Sequence, residues 1–211
     1  AGAKSPTGIP VLTGLEALTA TRDDLKALCA AFGTTSAAPM LHVRGHTPEG
    51  DQSSVDGLPR FEITRADLVQ LWQEFNIADG QIDLVAIGSP HASLSECRRF
   101  AQLMGDAQCH AGTQAILTVG RTVHADLKKD GTLDRLKHAG VQVFPDLCWC
   151  SITEPVFPSA ASVLMTNSGK YAHYGKGLTG RDVRFGSLRD CVRAAITGRA
   201  DAGLPWWLAE P

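Results

Sequence analysis

A chain of 211 residues, 44% hydrophobic and 20% charged, can bury a core of its own as one domain or at most two small ones. A formal net charge of −2 leaves no electrostatic footprint for nucleic acid, and no apolar run approaches the roughly 20 residues of a membrane helix. The N-terminus AGAKSPTG holds no apolar signal segment, so a cytoplasmic protein with no membrane or nucleic-acid partner is expected. It begins without Met, which reads as a piece of a longer chain.

In chain order, residues 1–20 form a Pro- and Gly-punctuated opening segment. Thr21 with Asp24 predicts a capping box, and Leu25, Leu28, Cys29 and Phe32 predict one helical face that Gly33 ends. Met40 to Val43 reads as a strand containing His42, with His46 just beyond. Their i, i+4 spacing suits a metal only on a helix, and Gly45 and Pro48 argue against one, so both read as loop or partly buried histidines. Residues 48–59 are a polar surface loop. Phe61 to Ile63 reads as a short strand, Thr64 as a cap, and Arg65 to Phe75 as a helix with Leu68, Leu71, Trp72 and Phe75 inward.

From Leu84 onward one device repeats. Each apolar strand ends in Gly or Pro or a small polar residue and gives way to a helical pattern, at Ile87-Gly88-Ser89, Val119-Gly120-Arg121, Phe144-Pro145-Asp146, Met165-Thr166-Asn167 and Phe185-Gly186-Ser187. That alternation predicts an α/β fold, a mainly parallel sheet flanked by helices. Parallel strands gather their C-terminal loops at one edge, so the polar residues of these turns should converge there. Ser89 and His91 stand at that edge. Ser93 to Glu96 fits a capping box, leaving a helix N-terminus free to favour an anion. Arg121 is a candidate carboxylate clamp, because a guanidinium fork matches a carboxylate, and a surface ion pair is the alternative.

The six cysteines divide by context. Cys29, Cys97 and Cys191 fall in helical apolar patterns and read as core, while Cys109 carries no signal. Cys148-Trp149-Cys150 lies in a loop past the run Val141 to Phe144, where thiolates could reach a metal. One C-x-C is too few ligands for a site, so any cluster must be completed from elsewhere. The stretch from Val163 to Gly198 constrains function most: a strand, then a loop of amide, hydroxyl, ammonium, imidazole and phenol (Asn167, Ser168, Lys170, Tyr171, His173, Tyr174), a second strand, and a helix that Ser187 caps and Gly198 ends. Such a loop has no core to fill. It suits the holding of a polar small molecule, although a simple turn covered by tyrosines is the alternative. Trp206 and Trp207 read as packing on a domain edge or a neighbouring domain.

MTNSGKYAHY followed by VRFGSLRDCVRAAITG, preceded by Ala86 to Ser93 and by Asp146-Leu147-Cys148, resembles the C-terminal part of the aconitase X family, iron–sulfur hydro-lyases distantly related to aconitase. The resemblance covers roughly the last two thirds of the chain. It implies one aconitase-like α/β domain over residues 1–211, with 1–60 as its opening segment. It implies dehydration of a small hydroxy acid, an iron–sulfur cluster (2Fe–2S or 4Fe–4S) completed by ligands outside this chain, and remaining catalytic domains with a swivelling small domain or subunit. Cys148 takes a cluster-ligand position with Cys150 as a possible substitute. Ser89, His91, Arg121 and Asn167 would bind substrate, and Ser168 and Lys170 would act on it. Some branches of the family carry a cluster-bound cysteine where this chain has Ser89. That serine favours cis-3-hydroxy-L-proline over phosphomevalonate as substrate. A non-catalytic binding domain and a zinc hydrolase are the readings from other classes.

Overall fold

The computed structural model describes residues 7–76, 80–151, 156–201 and 203–209. β1 (Val11–Leu12) pairs in parallel with β2 (His42–Val43), and α1 (Arg22–Thr35) connects them. After α2 (Arg65–Glu74) come β3 (Leu84–Ala92), α3 (Leu94–Met104), β4 (Gln114–Val119), α4 (Arg121–Lys129), α5 (Thr132–His138), β5 (Val141–Pro145), β6 (Val163–Thr166), α6 (Gly169–Thr179), β7 (Asp182–Phe185) and α7 (Leu188–Thr197). β3 to β7 form one wholly parallel sheet in the order β5-β4-β3-β6-β7. The expected α/β class holds.

Alternation along the strands explains why both faces are covered. Val85, Ile87, Ala115, Leu117 and Met165 point to one face, against Phe100 and Met104 of α3, Leu133 and Leu136 of α5, and Cys191 and Val192 of α7. Leu84, Ala86, Ile116, Leu164 and Val183 point to the other, against Trp149, Phe157 and Tyr171. Each large side chain so buried contributes about 1.5–3 kcal/mol. Thr21, Thr64, Ser93 and Ser187 cap α1, α2, α3 and α7 as the sequence predicts, and the structure completes a capping box at each, including Thr64 and Ser187, for which only a cap was expected.

The strand order decides where a ligand can go. The first strand of the sheet, β3, lies in its middle, the chain builds outward to β5, and then it crosses to β6 on the other side. This reversal leaves a crevice between the C-terminal ends of β3 and β6, the switch point where doubly wound sheets bind ligands.

Several local expectations are corrected. Gly33 lies inside α1, which runs on to a cap at Ser36, and Cys29 is exposed because the inward stripe is Leu25, Leu28 and Phe32. Only His42 and Val43 of the expected strand pair with a neighbour. Phe61 to Ile63 is unpaired coil, with Phe61 and Ile63 exposed. α2 keeps Trp72 and Phe75 against Phe185, whereas Leu68 and Leu71 face outward, since no element among the described residues covers that side. The polar loop after β6 is short, because Ser168 caps α6 at once and Tyr171 turns into the core, fully buried.

Candidate functional site

The site begins with a backbone irregularity. β3 and β4 lose register between Ile87 and Ala92, and there Gly88 adopts φ +115 with its carbonyl accepting from Thr118 Oγ1 at 3.0 Å. A Cβ on Gly88 would lie 2.3 Å from Thr118 O, so only glycine permits this turn. Its consequence is that Ser89 enters the crevice, followed by a cis Ser89–Pro90 bond.

Ser89 is the hub of what converges there. Its Oγ lies 2.7 Å from Cys150 Sγ, and its carbonyl accepts the Ser168 hydroxyl. Ser168 also accepts from Tyr171 N at 3.1 Å as the cap of α6, so one hydroxyl both starts the helix and ties β6 to β3. Asn167, which makes no hydrogen bond through its side chain among the described residues, lines the crevice beside Ser89 and Ser168. Lys170, half-buried in the first turn of α6, is near enough to Cys150 for its charge to act on that thiol.

The Cys148–Cys150 segment is anchored by the residue between the cysteines. Trp149 is fully buried, stacked on Phe157 at 5.8 Å and tilted against Tyr171 at 4.3 Å. Its indole N–H has no partner among the described residues. Gly175 leaves room for the Tyr171 ring, which a Cβ there would meet at 2.4 Å. The aromatic wedge turns Cys148 outward and Cys150 inward. Burial pushes the Cys150 thiol up and Cys148 adds to this, while the Ser89 hydrogen bond and Lys170 work the other way. By contrast, burial drives Cys97 to about 12 and raises Cys191, as expected of inert core thiols.

His91 and Arg121 serve the same segment from outside. His91 Nε2 is 2.9 Å from Leu147 O, and Arg121 pairs through Nε with Asp146 Oδ2 at 2.6 Å while its backbone N–H donates to Oδ1 at 2.9 Å. The Arg121 backbone N–H, more than its guanidinium, holds the Asp146 carboxyl below its ordinary value. Asp146 has φ +55, an uncommon conformation for a side-chain-bearing residue. Arg121 is therefore in the surface ion pair, 84% exposed, and it and His91 grip the two residues before Cys148.

The N-terminus of α3 is not free, contrary to expectation. Its first turn is filled by the protein's own carboxylates: Glu96 closes the capping box, and Asp23 of α1 accepts from Ser93 Oγ at 2.8 Å and Ser95 Oγ at 2.7 Å. Sequence reading missed Asp23 and Lys26. Their signal was an acidic and a basic residue at i, i+3 on α1, which most often marks a solvated face. Together with Ser89, Asn167 and Ser168, Lys26 and Glu96 line a crevice of about 20 Å³, room for about one water. An open cleft of about 920 Å³ continues from Asn167 toward Trp72, Arg184 and Trp207.

Two sulfurs and a hydroxyl thus meet at one sheet edge. Among the described residues no group of three or more His, Cys, Asp or Glu could hold a metal ion. The soft donors Cys148 and Cys150 fit an iron–sulfur cluster in kind, but supply only part of a ligand set. No helix among the described residues is long and apolar enough to cross a membrane.

Fold and site together define a doubly wound α/β domain with a sulfur-bearing polar crevice at its switch point. The chain belongs to the aconitase X family: the model of the aconitase X third domain matches residues 82–197, and that of the second domain matches residues 1–73. It is 44% identical to a cis-3-hydroxy-L-proline dehydratase of Pseudomonas aeruginosa, over 96% of this chain and 36% of the relative. It is 41% identical to a protein of that name from Hypocrea jecorina, over 96% of this chain and 35% of the relative. The phosphomevalonate dehydratase large subunit of Methanothermobacter thermautotrophicus is 30% identical over 81% of this chain and 42% of its own. The crystal structure of Thermococcus kodakaraensis aconitase X in holo form superposes with TM-score 0.79 at 27% identity, covering 92% of this chain and 49% of that one. The chain thus spans about a third of the length of the hydroxyproline relatives.

Proposed function

We propose that this chain is part of an iron–sulfur hydro-lyase that dehydrates cis-3-hydroxy-L-proline in the cytoplasm. Phosphomevalonate is the second reading, and the lower identity to proteins named for it, 30% against 41–44%, ranks it second. One observation carries the proposal. Ser89 Oγ sits 2.7 Å from Cys150 Sγ at the switch point, so a hydroxyl and a sulfur stand side by side within the polar wall of Ser168 and Asn167.

Cys148, with Cys150 beside it, would hold the cluster together with ligands from outside this chain. Bound there, the cluster would supply Lewis acidity toward the substrate hydroxyl. This chain's residues do the rest. Dehydration takes the proton from the carbon bearing the carboxylate and the hydroxyl from its neighbour, leaving a double bond between them. Asn167 has its amide free for a carboxylate oxygen, and the positive end of the α6 dipole reinforces that attraction. Ser168, which lines the crevice, donates to Ser89 O and accepts from Tyr171 N, which leaves one lone pair unused. In this reading the α-proton goes to the Lys170 side chain acting as an amine base with Ser168 beside it, and Ser89 faces the leaving hydroxyl. His91 and Arg121 contribute indirectly, through the loop that carries Cys148. Remaining catalytic domains and a swivelling small domain or subunit complete the cleft.

The test is anaerobic iron and sulfide analysis with visible spectroscopy on the assembled protein, alongside NMR of cis-3-hydroxy-L-proline. Cluster absorption with loss of substrate is expected. Zinc alone would favour the hydrolase, and absence of both cluster and turnover would favour a binding domain.

A further inference from the structure

Lys26 has an environment that fixes what it can do. An ammonium has three N–H donors, and each has an acceptor here: Glu96 Oε2 at 2.5 Å, Asp23 Oδ1 at 3.0 Å and the His91 carbonyl at 3.1 Å. Although it lines the crevice with Ser89, Asn167 and Ser168, it has no proton left for a substrate carboxylate.

Its partners are organised in turn. Glu96 Oε2 also accepts Ser93 N at 2.9 Å, and Asp23 Oδ2 takes the hydroxyls of Ser93 and Ser95, which are themselves 2.8 Å apart. One basic and two acidic side chains thus join α1 to the first turn of α3 and to the backbone two residues after Ser89. Burial opposes both charges, yet the hydrogen bonds outweigh it: Asp23 is held below and Lys26 above its ordinary value. Ala31, on the same helix, lies near Gly169 at the start of α6. α1 therefore touches both walls of the crevice.

We infer that Asp23 and Lys26 are positioning residues, a charged staple by which α1, within the region matched by the second-domain model, fixes the Ser89–His91 backbone and the α3 N-terminus of the third-domain region. The crevice is then composite, built from both matched regions. The staple holds Ser89 where its hydroxyl meets Cys150 and its carbonyl meets Ser168.

Native-state hydrogen exchange on the assembled protein tests this without reference to the dehydratase reading. Lys26→Met keeps most of the aliphatic stem and removes the donors. It should speed exchange of the His91 and Ala92 amides and of the first turn of α3 by about tenfold or more, leaving β4 and α7 amides unchanged. Asp23→Asn, which retains an acceptor for one serine, should give a smaller acceleration at Ser93 to Glu96. Unchanged exchange at residues 91–96 in both variants, or uniform acceleration throughout the chain, overturns the staple. A kinetic arm, which rests on the proposed function, uses the assembled enzyme and cis-3-hydroxy-L-proline. Lys26→Met should lower kcat at least tenfold with KM changed less than about threefold, and Lys26→Arg should restore part of kcat. A large rise in KM with kcat kept would instead make Lys26 a substrate clamp and overturn its positioning role.

Discussion

The two ends of the five-stranded sheet are built from similar residues and use them differently. At the end where β3 and β6 start, the Asp83 carboxylate takes three donors, Ser162 N and Oγ at 2.8 Å and Val163 N at 2.9 Å, and Thr113 Oγ1 donates to Ile82 O at 2.7 Å. Those polar groups are spent on joining strands. At the opposite end, Asn167 and Lys170 keep their side chains free of hydrogen-bond partners among the described residues, and Cys148 is exposed. Where polar groups satisfy one another the structure gains stability, and where they are left facing a crevice it gains the capacity to bind.

Substitutions can break or sharpen that contrast. The largest effect on stability is expected from Gly88→Ala, which sets a Cβ 2.3 Å from Thr118 O at a φ of +115. A loss of about 3 kcal/mol or more, read by urea denaturation, would show that the crevice depends on this turn. A loss under about 1 kcal/mol would mean that the β3 irregularity relaxes.

Asp83→Ala, at the structural end, should cost about 2–3 kcal/mol at neutral pH, because charged hydrogen bonds are lost and two backbone N–H groups lose their acceptor. Burial works to raise the Asp83 carboxyl, but the Val163 and Ser162 bonds outweigh it and hold it below 3.8. A depressed folded-state value stabilises above the unfolded value and is lost as pH falls through the folded one. The wild-type advantage over the variant should therefore be full above about pH 5 and shrink below pH 3.8. A constant difference across that window would remove the charge from the explanation.

Cys191→Ala, in the core at 0% exposure, should cost about 1 kcal/mol with no effect on cluster binding. Cys148→Ala should lie within about 0.5 kcal/mol of wild type in stability, because the thiol is exposed. In the assembled protein, however, it should abolish visible cluster absorption and turnover together. Retention of both would end the assignment of Cys148 as a ligand. Arg121→Ala gives the smallest expected effect, within about 0.5 kcal/mol, since exposed ion pairs contribute little.

The repeated strand–turn–helix device, the four helix caps and the core cysteines Cys97 and Cys191 were legible in the sequence, because periodicity and capping depend on residues within one or two turns of each other. So was the sheet edge at which Ser89, Asn167, Ser168 and Lys170 meet, since parallel strands place their following loops at one end. Pairwise contacts between distant segments were not. Nothing local to Tyr171 says that Trp149 waits to bury it, nothing near Arg121 says that Asp146 will take its guanidinium, and nothing in α1 says that Asp23 and Lys26 will close on Ser93, Ser95 and Glu96 about 70 residues away. Local sequence determined which elements form and which way their polar ends face. Only the tertiary structure decided which of those polar groups satisfy one another and which remain open to a ligand, because hydrogen-bond partnership is fixed by distance in space.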